Sequence, residues 1–254
     1  MVDIHSHLIY GVDDGSDNIE TSLNILESLS NSGVTDIILT PHYITGTNYV
    51  SKKLDNIVKL KELQREISNN NININLYLGN EVYIFDEIYK LVKENKICSL
   101  NNTEYILIEL PMSGIYPDYK DIFYDLQKLG FKIVLAHPER YTSFQNDHKK
   151  IHEMVDMGVL LQCNIDSILG YYGTKAKKTM KYILKNKLLS FVGTDIHSDK
   201  EDYTYIDRAT KLFKKYLTEE ELDIVFNKNA REIIGKNDNS IKYKNNRKLT
   251  DILK

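Results

Sequence analysis

Short apolar runs alternate with longer amphipathic segments along this chain, and this alternation constrains the fold more than any other feature. Seven apolar runs predict β-strands, at residues 2–7, 34–39, 72–78, 105–110, 132–136, 159–165 and 188–192. Helical spacing predicts helices at residues 17–33, 51–67, 84–92, 119–129, 147–157, 174–186, 205–216 and 219–234. Strands that alternate with helices form a parallel sheet covered by helices, so the sequence predicts an α/β protein.

Two of the predicted helices begin with a recognisable capping pattern. Asp17 is followed by Glu20, and Thr218 is followed by Glu221, which is the spacing of a capping box. We therefore expect Asp17 and Thr218 to be the N-caps of their helices.

Residues that can bind a metal stand at or just after the end of nearly every predicted strand. Nine share this position, namely His5, His7, Asp14, His42, Glu81, Glu109, His137, Asp195 and His197. A closed barrel builds its site from the carboxyl ends of all its strands, whereas an open doubly wound sheet gathers ligands mainly at one switch point. The positions favour a single distorted (β/α) barrel of roughly seven strands, with its site at the C-terminal ends of the strands.

Composition and charge exclude several classes of protein. The chain has 254 residues, of which 42% are hydrophobic and 27% are charged, enough for one large or two small α/β domains. A formal net charge of −3 argues against a nucleic-acid partner. We expect no transmembrane segment and no signal peptide, because no apolar run is long enough and the first residues lack a basic region. Cys98 and Cys163 fit a reducing cytoplasm as buried apolar side chains.

The nine candidate ligands define the chemistry of the predicted site. They offer imidazole nitrogen and carboxylate oxygen without any thiolate, which suits Mn²⁺, Fe²⁺ or Zn²⁺ and not a cysteine-rich structural zinc site. They exceed the needs of one ion, and two or three ions that share a bridging carboxylate would use them all. Such a cluster can hold a bridging hydroxide and clamp two phosphate oxygens. Taken singly, Glu109 could instead pair with a lysine, and Asp14 could cap a turn.

Other residues refine this interpretation. Arg140 follows His137 by three positions, and a guanidinium beside a metal cluster would bind phosphate bidentately. His148 and His152 have the i, i+4 spacing of a helical metal site, but the lysines around them indicate an exposed surface. A cysteine-based phosphatase is excluded, because the arginine it needs six positions after the nucleophile is absent after both cysteines.

The order of the motifs resembles that of a known superfamily. Asp-x-His-x-His, Asp-Asp-Gly, Thr-Pro-His, Gly-Asn-Glu, Leu-Ala-His-Pro-Glu-Arg-Tyr and Thr-Asp-x-His occur in this order, as in the polymerase and histidinol phosphatase (PHP) superfamily. Within it, the sequence resembles the bacterial metal-dependent tyrosine-protein phosphatases of the CpsB type, which Leu161-Gln162-x-Asn164 and Gly170-x-Tyr172-Gly173 also support. The resemblance covers residue 3 to about residue 235. We expect a barrel domain over 1–235 and a polar, basic tail over 236–254.

The resemblance implies a distorted seven-stranded barrel that holds three metal ions, usually Mn²⁺. One ion would take His5, His7, Glu81 and Asp195, the second would share Glu81 and take Glu109 and His137, and the third would take Asp14, His42 and His197. Arg140 would bind the substrate phosphate. Members dephosphorylate the tyrosine-rich tail of a bacterial tyrosine kinase that controls capsule or exopolysaccharide export.

This sequence departs from the family pattern at one position, and two other functions stay open. Many members carry an arginine five residues after the last motif histidine, but this chain has Asp202 there, which leaves Lys200 as the nearest substitute. The first alternative is another phosphoesterase of the same scaffold, such as a histidinol phosphatase or a nuclease. The second is a metal-stabilised regulatory protein without turnover.

Overall fold

The computed structural model describes residues 1–198 and 203–235. Its strands are β1 Val2–Asp3, β2 Asp36–Leu39, β3 His42–Tyr43, β4 Asn75–Leu78, β5 Glu81–Tyr83, β6 Tyr105–Glu109, β7 Lys132–Ala136, β8 Leu160–Asn164 and β9 Leu189–Gly193. Its helices are α1 Ile19–Asn31, α2 Lys53–Asn69, α3 Ile88–Lys93, α4 Tyr119–Lys128, α5 Thr142–Asn146, α6 Lys149–Asp156, α7 Gly173–Lys185, α8 Tyr205–Phe213, α9 Glu219–Asp223 and α10 Asn229–Gly235.

All of the paired strands are parallel, and they form two sheets. One sheet has the order β1-β2-β4, and the other has the order β3-β5-β6-β7-β8-β9. The chain passes from β2 into β3 through Pro41, which cannot donate a ladder hydrogen bond, and from β4 into β5 through Gly79. The second and third predicted strands therefore contribute to both sheets.

Hydrogen bonds also join the first strand segment to the last. The His5 carbonyl accepts from the Asp195 amide at 2.8 Å, and the His7 amide donates to the Ile196 carbonyl at 3.0 Å. Ser6 and Ile196 form a parallel bridge. The pairings run through seven segments and return to the first, in agreement with the expected barrel. The predicted α/β class with parallel strands is confirmed.

Alternate residues of the strands belong to two separate apolar clusters. The inner cluster includes Val2, Ile4, Ile38, Leu107, Val134 and Phe191. Their neighbours along the strands join helix residues in the outer cluster, which includes Ile37, Leu39, Ile106, Ile108, Ile133, Leu135 and Val192. Strands that are buried on both faces require such continuous apolar runs, which explains why the runs dominate the sequence.

Helix α10 packs against the inner cluster, on the side away from the carboxyl ends of the strands. Ala230, Ile233 and Ile234 are buried there. The side chain of Asn101 donates to the carbonyl oxygens of Ile233 and Ile234, each at 3.2 Å, so the end of the helix is held by hydrogen bonds.

Several predicted boundaries differ from the structure. Asn18, and not Asp17, caps α1, because its side chain accepts from the Thr21 amide at 2.9 Å. The capping box of Thr218 and Glu221 is confirmed. The single helix expected over 219–234 is divided by a π-helical turn at Ile224–Lys228.

Some predictions concern residues outside the described ranges. Lys200, Asp202 and the expected tail over 236–254 all lie there, so the division into a domain and a tail stays a prediction. Within the described residues, no helix combines the length and the apolar content that crossing a membrane requires.

Candidate metal centre

The nine predicted ligands come together at the carboxyl ends of the strands. Three groups have donor atoms close enough to share an ion: His5, His7, Glu81 and Asp195; His7, Asp14, His42 and His197; and His42, Glu81 and Glu109. His137 contacts the same centre, because its Nε2 atom lies 3.0 Å from Oε1 of Glu81. The structure thus assembles residues that are separated by most of the chain.

The first group is the most compact and is fully enclosed. Nε2 of His5 and Nε2 of His7 are 3.1 Å apart, as expected for i, i+2 side chains on one face. Oε2 of Glu81 lies 3.2 Å from the first nitrogen and 3.3 Å from the second. Oδ1 of Asp195 lies 3.3 Å from each nitrogen. All four side chains are buried, so these donor atoms face a common point without competition from bulk water.

A chain of amide hydrogen bonds determines which nitrogen of His5 carries the proton. Oδ2 of Asp195 can only accept, so it fixes the amide of Asn164, which donates to it at 2.7 Å. Asn164 Oδ1 then accepts from Gln162 Nε2 at 3.1 Å. Gln162 Oε1 faces His5 Nδ1 at 2.8 Å and must accept its proton. The Nε2 atom of His5 is left with a lone pair that points into the centre, as a metal ligand requires.

Asp13 plays the corresponding part for His7. Its Oδ2 atom accepts from His7 Nδ1 at 2.9 Å and from the His42 amide at 2.9 Å, while its Oδ1 atom accepts from the Gly15 amide at 3.0 Å. Burial opposes ionisation of Asp13, but the hydrogen bond and charge of His7, together with the amides of His42 and Gly15, outweigh it and lower the pKa of the carboxyl. His7 therefore also presents an unprotonated Nε2 atom to the centre.

Two glycines allow the backbone to approach these histidines closely. A Cβ atom on Gly193 would lie 2.7 Å from the Cβ atom of His5. A Cβ atom on Gly15 would lie 2.0 Å from the carbonyl oxygen of His7. No side chain fits at either position without displacing a predicted ligand.

The second group differs slightly from the set that the resemblance implied. Glu81, Glu109 and His42 have donor atoms within one cluster, whereas the expected third member was His137. His137 Nε2 lies 3.7 Å from Oε1 of Glu109, so it borders the same position. His42 Nδ1 lies 3.1 Å from Oε2 of Glu81, which places His42 between two of the groups.

The third group contains the predicted residues Asp14, His42 and His197, with His7 close by. Oδ1 of Asp14 lies 3.6 Å from His42 Nε2 and 3.5 Å from His197 Nε2. His197 donates from Nδ1 to the backbone carbonyl of Asp195 at 2.8 Å, so its Nε2 atom keeps a lone pair that can bind a metal. The Asp14 side chain is 47% exposed, which makes this group the one nearest to solvent.

The charges of the centre fit divalent cations. Burial, together with the charges of Glu81 and Asp195, raises the pKa of Glu109 to about 9. Burial also opposes ionisation of Glu81, but His5 and His42 hold the pKa of that carboxyl well below its usual range. Oε2 of Glu81 is buried without a hydrogen-bond partner. Cations at this centre would relieve the repulsion among the carboxylates and supply that oxygen with a partner.

The backbone is strained at two predicted ligands. His137 has φ +32° and Asp195 has φ +54°, in the left-handed region that residues with a Cβ atom rarely adopt. His137 directly follows β7, and Asp195 is the second residue after β9, so each side chain is directed into the centre by the turn at the end of a strand. Strain of this kind persists where the surrounding structure enforces it, and it is common at functional sites.

Arg140 lies beside the centre and contacts Asp195, which is one of the predicted ligands. Its Nη1 atom is 2.6 Å from Oδ2 of Asp195, and its side chain is 24% exposed. The guanidinium carbon lies 4.4 Å from the centre of the Tyr172 ring. The predicted position next to the cluster agrees with the structure, while binding of phosphate stays a prediction.

Sequence reasoning missed four residues that hold the site in place: Asp13, Gln162, Asn164 and Tyr172. Asp13 was visible only as the neighbour of Asp14. The other three lie in motifs that support the family resemblance, but nothing in their spacing shows which ligand each contacts.

The helical histidine pair lies apart from the centre. His148 is 3.3 Å from Thr179 Oγ1, and His152 is 2.9 Å from the Tyr182 hydroxyl. Both histidines are half-buried against α7, so the expectation of an exposed surface was wrong. Their lysine neighbours indicated exposure, but the histidines themselves face the adjacent helix. The two cysteines are buried and free, as expected.

Comparisons with known proteins agree with the resemblance. A CpsB_CapC family, described as "Capsular polysaccharide synthesis, CpsB/CapC", matches residues 1–235. Tyrosine-protein phosphatase CpsB of Streptococcus agalactiae serotype III (strain NEM316) is 30% identical over 244 residues, covering 92% of this chain and 98% of that protein.

Solved structures extend the comparison. One comes from crystal structures of YwqE from Bacillus subtilis and CpsB from Streptococcus pneumoniae, described as metal-dependent tyrosine phosphatases. It has a TM-score of 0.83 and 27% identity, and it covers 88% of this chain and 91% of that one. Histidinol phosphate phosphatase from Lactococcus lactis has a TM-score of 0.56 and 15% identity over 85% of this chain and 93% of that one, which shows the shared fold alone. The chain belongs to the CpsB/CapC family.

Proposed function

We propose that this protein is a metal-dependent protein-tyrosine phosphatase. The observation that carries the proposal is the convergence of nine nitrogen and oxygen donors at one end of the barrel, with Arg140 beside them. Family relatives that are named tyrosine-protein phosphatases support the reaction type. The substrate we propose, which the resemblance implies, is the phosphotyrosine tail of a bacterial tyrosine kinase that regulates capsule or exopolysaccharide synthesis, and the family description supports the link to capsular polysaccharide synthesis. We place this reaction in the cytoplasm, because free buried cysteines suit a reducing compartment.

Three ions account for the ligands. The first would be held by His5, His7, Glu81 and Asp195, the second by Glu81, Glu109 and His137, and the third by Asp14, His42 and His197. Mn²⁺ is our choice, with Fe²⁺ or Zn²⁺ compatible with the same donors. Bound cations of this kind lower the pKa of water and neutralise charge on a phosphoryl group.

The protein's own residues would bind and orient the substrate. Asp195 directs Oδ1 at His5 and His7 and Oδ2 at Arg140, so one carboxylate fixes the guanidinium relative to the ligands. Arg140 would bind phosphate through its remaining N–H groups and hold the phosphorus against the metal positions.

The leaving group favours tyrosine over serine. A tyrosine phenolate is the conjugate base of an acid with a pKa of about 10, so it departs without full protonation. Among the described residues of the centre, we assign each carboxylate and imidazole to binding a metal or to orienting a ligand. An alkoxide would therefore leave without an acid to assist it.

The test is a direct comparison of substrates. The purified protein loaded with Mn²⁺ should hydrolyse a phosphotyrosine peptide much faster than a phosphoserine peptide or histidinol phosphate, and metal analysis should accompany each assay. Equal rates on the aryl and alkyl phosphates would contradict the assignment. Faster turnover of histidinol phosphate would favour a histidinol phosphatase, and metal binding without any turnover would favour a regulatory protein.

A further inference from the structure

Tyr172 contacts Arg140 but belongs to none of the three ligand groups. It lies in a short turn where Gly170 has φ +100° and Gly173 has φ +87°, so glycine is needed on both sides of the two tyrosines. Tyr171 points outward and is 53% exposed, whereas Tyr172 turns inward over the guanidinium. The turn therefore presents one aromatic ring to the centre and one to solvent.

Tyr172 belongs to a closed set of contacts among four side chains, the others being Asn164, Asp195 and Arg140. Its hydroxyl is 3.3 Å from Asn164 Nδ2, which also donates to Oδ2 of Asp195 at 2.7 Å. The same oxygen accepts from Arg140 Nη1 at 2.6 Å, and the guanidinium returns to the Tyr172 ring at 4.4 Å. Each member is thus held by two others, and one member is a predicted metal ligand.

Arg140 uses one of its guanidinium nitrogens for Asp195 and keeps the others available. Nη1 is used by Asp195, but within residues 1–198 and 203–235 neither Nε nor Nη2 has a hydrogen-bond partner. A guanidinium that is anchored at one nitrogen can still rotate and tilt, and the ring below it restricts both motions. The free donors then keep a fixed direction relative to the metal positions.

We propose that Tyr172 is a positioning residue that holds the guanidinium of Arg140 ready for the substrate phosphate. This inference rests on the proposed phosphatase function. The face of an aromatic ring attracts a guanidinium and stacks flat against it, so the ring lowers the entropy that Arg140 loses when phosphate binds. The hydroxyl is secondary, because its hydrogen bond to Asn164 is long.

The experiment compares variants of the Mn²⁺-loaded protein. Tyr172→Leu removes the ring, Tyr172→Met serves as a second non-aromatic variant if the first folds poorly, and Tyr172→Phe keeps the ring without the hydroxyl. Tyr171→Leu is the matched control in the same turn. Calorimetry gives the Kd for inorganic phosphate, steady-state assays give KM and kcat on a phosphotyrosine peptide, and metal content is measured for each protein.

We expect loss of the ring to weaken phosphate binding by roughly 3- to 30-fold, the range of an aromatic contact to a guanidinium. KM should rise by a similar factor while kcat and metal content change little. Tyr171→Leu should resemble the wild type, and Tyr172→Phe should lose much less phosphate affinity than Tyr172→Leu, because the ring remains. In the Arg140→Ala background, Tyr172→Leu should have almost no further effect, because the residue it supports is gone.

Three results would overturn the inference: an undiminished effect of Tyr172→Leu in the Arg140→Ala background, a Tyr172→Phe variant as defective as Tyr172→Leu, or a loss of metal that accounts for the weaker binding. A wild-type protein that binds phosphate but hydrolyses no phosphotyrosine would refute the proposed function instead. The phosphate measurements would still decide the role of Tyr172 in that case.

Discussion

Asp13 offers a sharp test of how the centre is oriented, through the replacement Asp13→Asn. Its two oxygens accept from His7 Nδ1 and from the amides of His42 and Gly15, and its side chain is fully buried. Asparagine has one oxygen and one NH₂ group. In one orientation, the NH₂ group faces the Gly15 amide and His7 loses its charged acceptor. In the other, the NH₂ group faces His7 and His42 together. Both orientations weaken the support of His7.

The magnitude for Asp13→Asn follows from the loss of a carboxylate that orients a predicted metal ligand. Loss of a carboxylate behind a metal-binding histidine costs about 10- to 100-fold in metal affinity, and each tenfold is about 1.4 kcal/mol. We therefore expect Mn²⁺ to bind Asp13→Asn roughly 10- to 100-fold more weakly than the wild type.

Calorimetric titration of the metal-free proteins with Mn²⁺ measures this change. Asp17→Asn makes the same chemical change in the same loop at an exposed position, and its affinity should equal that of the wild type. An Asp13→Asn affinity within twofold of the control would refute the reasoning, because it would show that His7 is oriented without Asp13.

The remaining predictions concern the metals and Arg140. Chelation should abolish phosphatase activity and Mn²⁺ should restore it. Thiol alkylation should leave most of the activity, because both cysteines are buried in the outer apolar cluster; inactivation by alkylation with metal retained would contradict this. Glu81→Ala should lower both metal content and rate far more than Cys98→Ala, since Glu81 contacts two ligand groups; wild-type metal content in Glu81→Ala would disprove its bridging role. Arg140→Ala should lower kcat/KM by roughly 10²–10³-fold with unchanged metal content. Arg140→Lys should recover part of the loss. A greater effect of Lys200→Ala, or of alanine in place of Arg208, the arginine of α8 in the region after the last motif histidine, would reassign the phosphate contact.

The sequence was sufficient for the fold class and for the expectation that the candidate ligands lie together at one end of the strands. Strands buried on both faces need continuous apolar runs, and parallel strands bring their carboxyl ends to one side, so the positions of His5 and Glu109 follow from pattern alone. The additional closeness of His42 to Glu81 could not be predicted in this way, because His137 also borders Glu81 and Glu109. It depends on the directions in which the side chains point and not on their place in the chain.

The sequence did not predict the N-cap of α1 or the roles of two amide side chains, because both depend on contacts that only the folded structure shows. Asp17 and Asn18 are both good N-caps, and only the structure shows which side chain reaches the third amide of α1. Gln162 and Asn164 look like ordinary polar residues at the end of a strand. Their role depends on amide orientations that Asp195 fixes from more than 30 residues away in the sequence.

The pairing of the first strand segment with the last has a consequence for the order of folding. Asp3 accepts from the amide of Thr194, a contact that spans 191 residues. During synthesis, His5 and His7 leave the ribosome long before Asp195, and β1 has only one neighbouring strand until β9 follows. Contacts of such long range form late, because the entropy of closing the intervening chain opposes them. Completion of the first ligand group is therefore a late event in folding. Metal uptake by this group would report that the first strand segment has paired with the last.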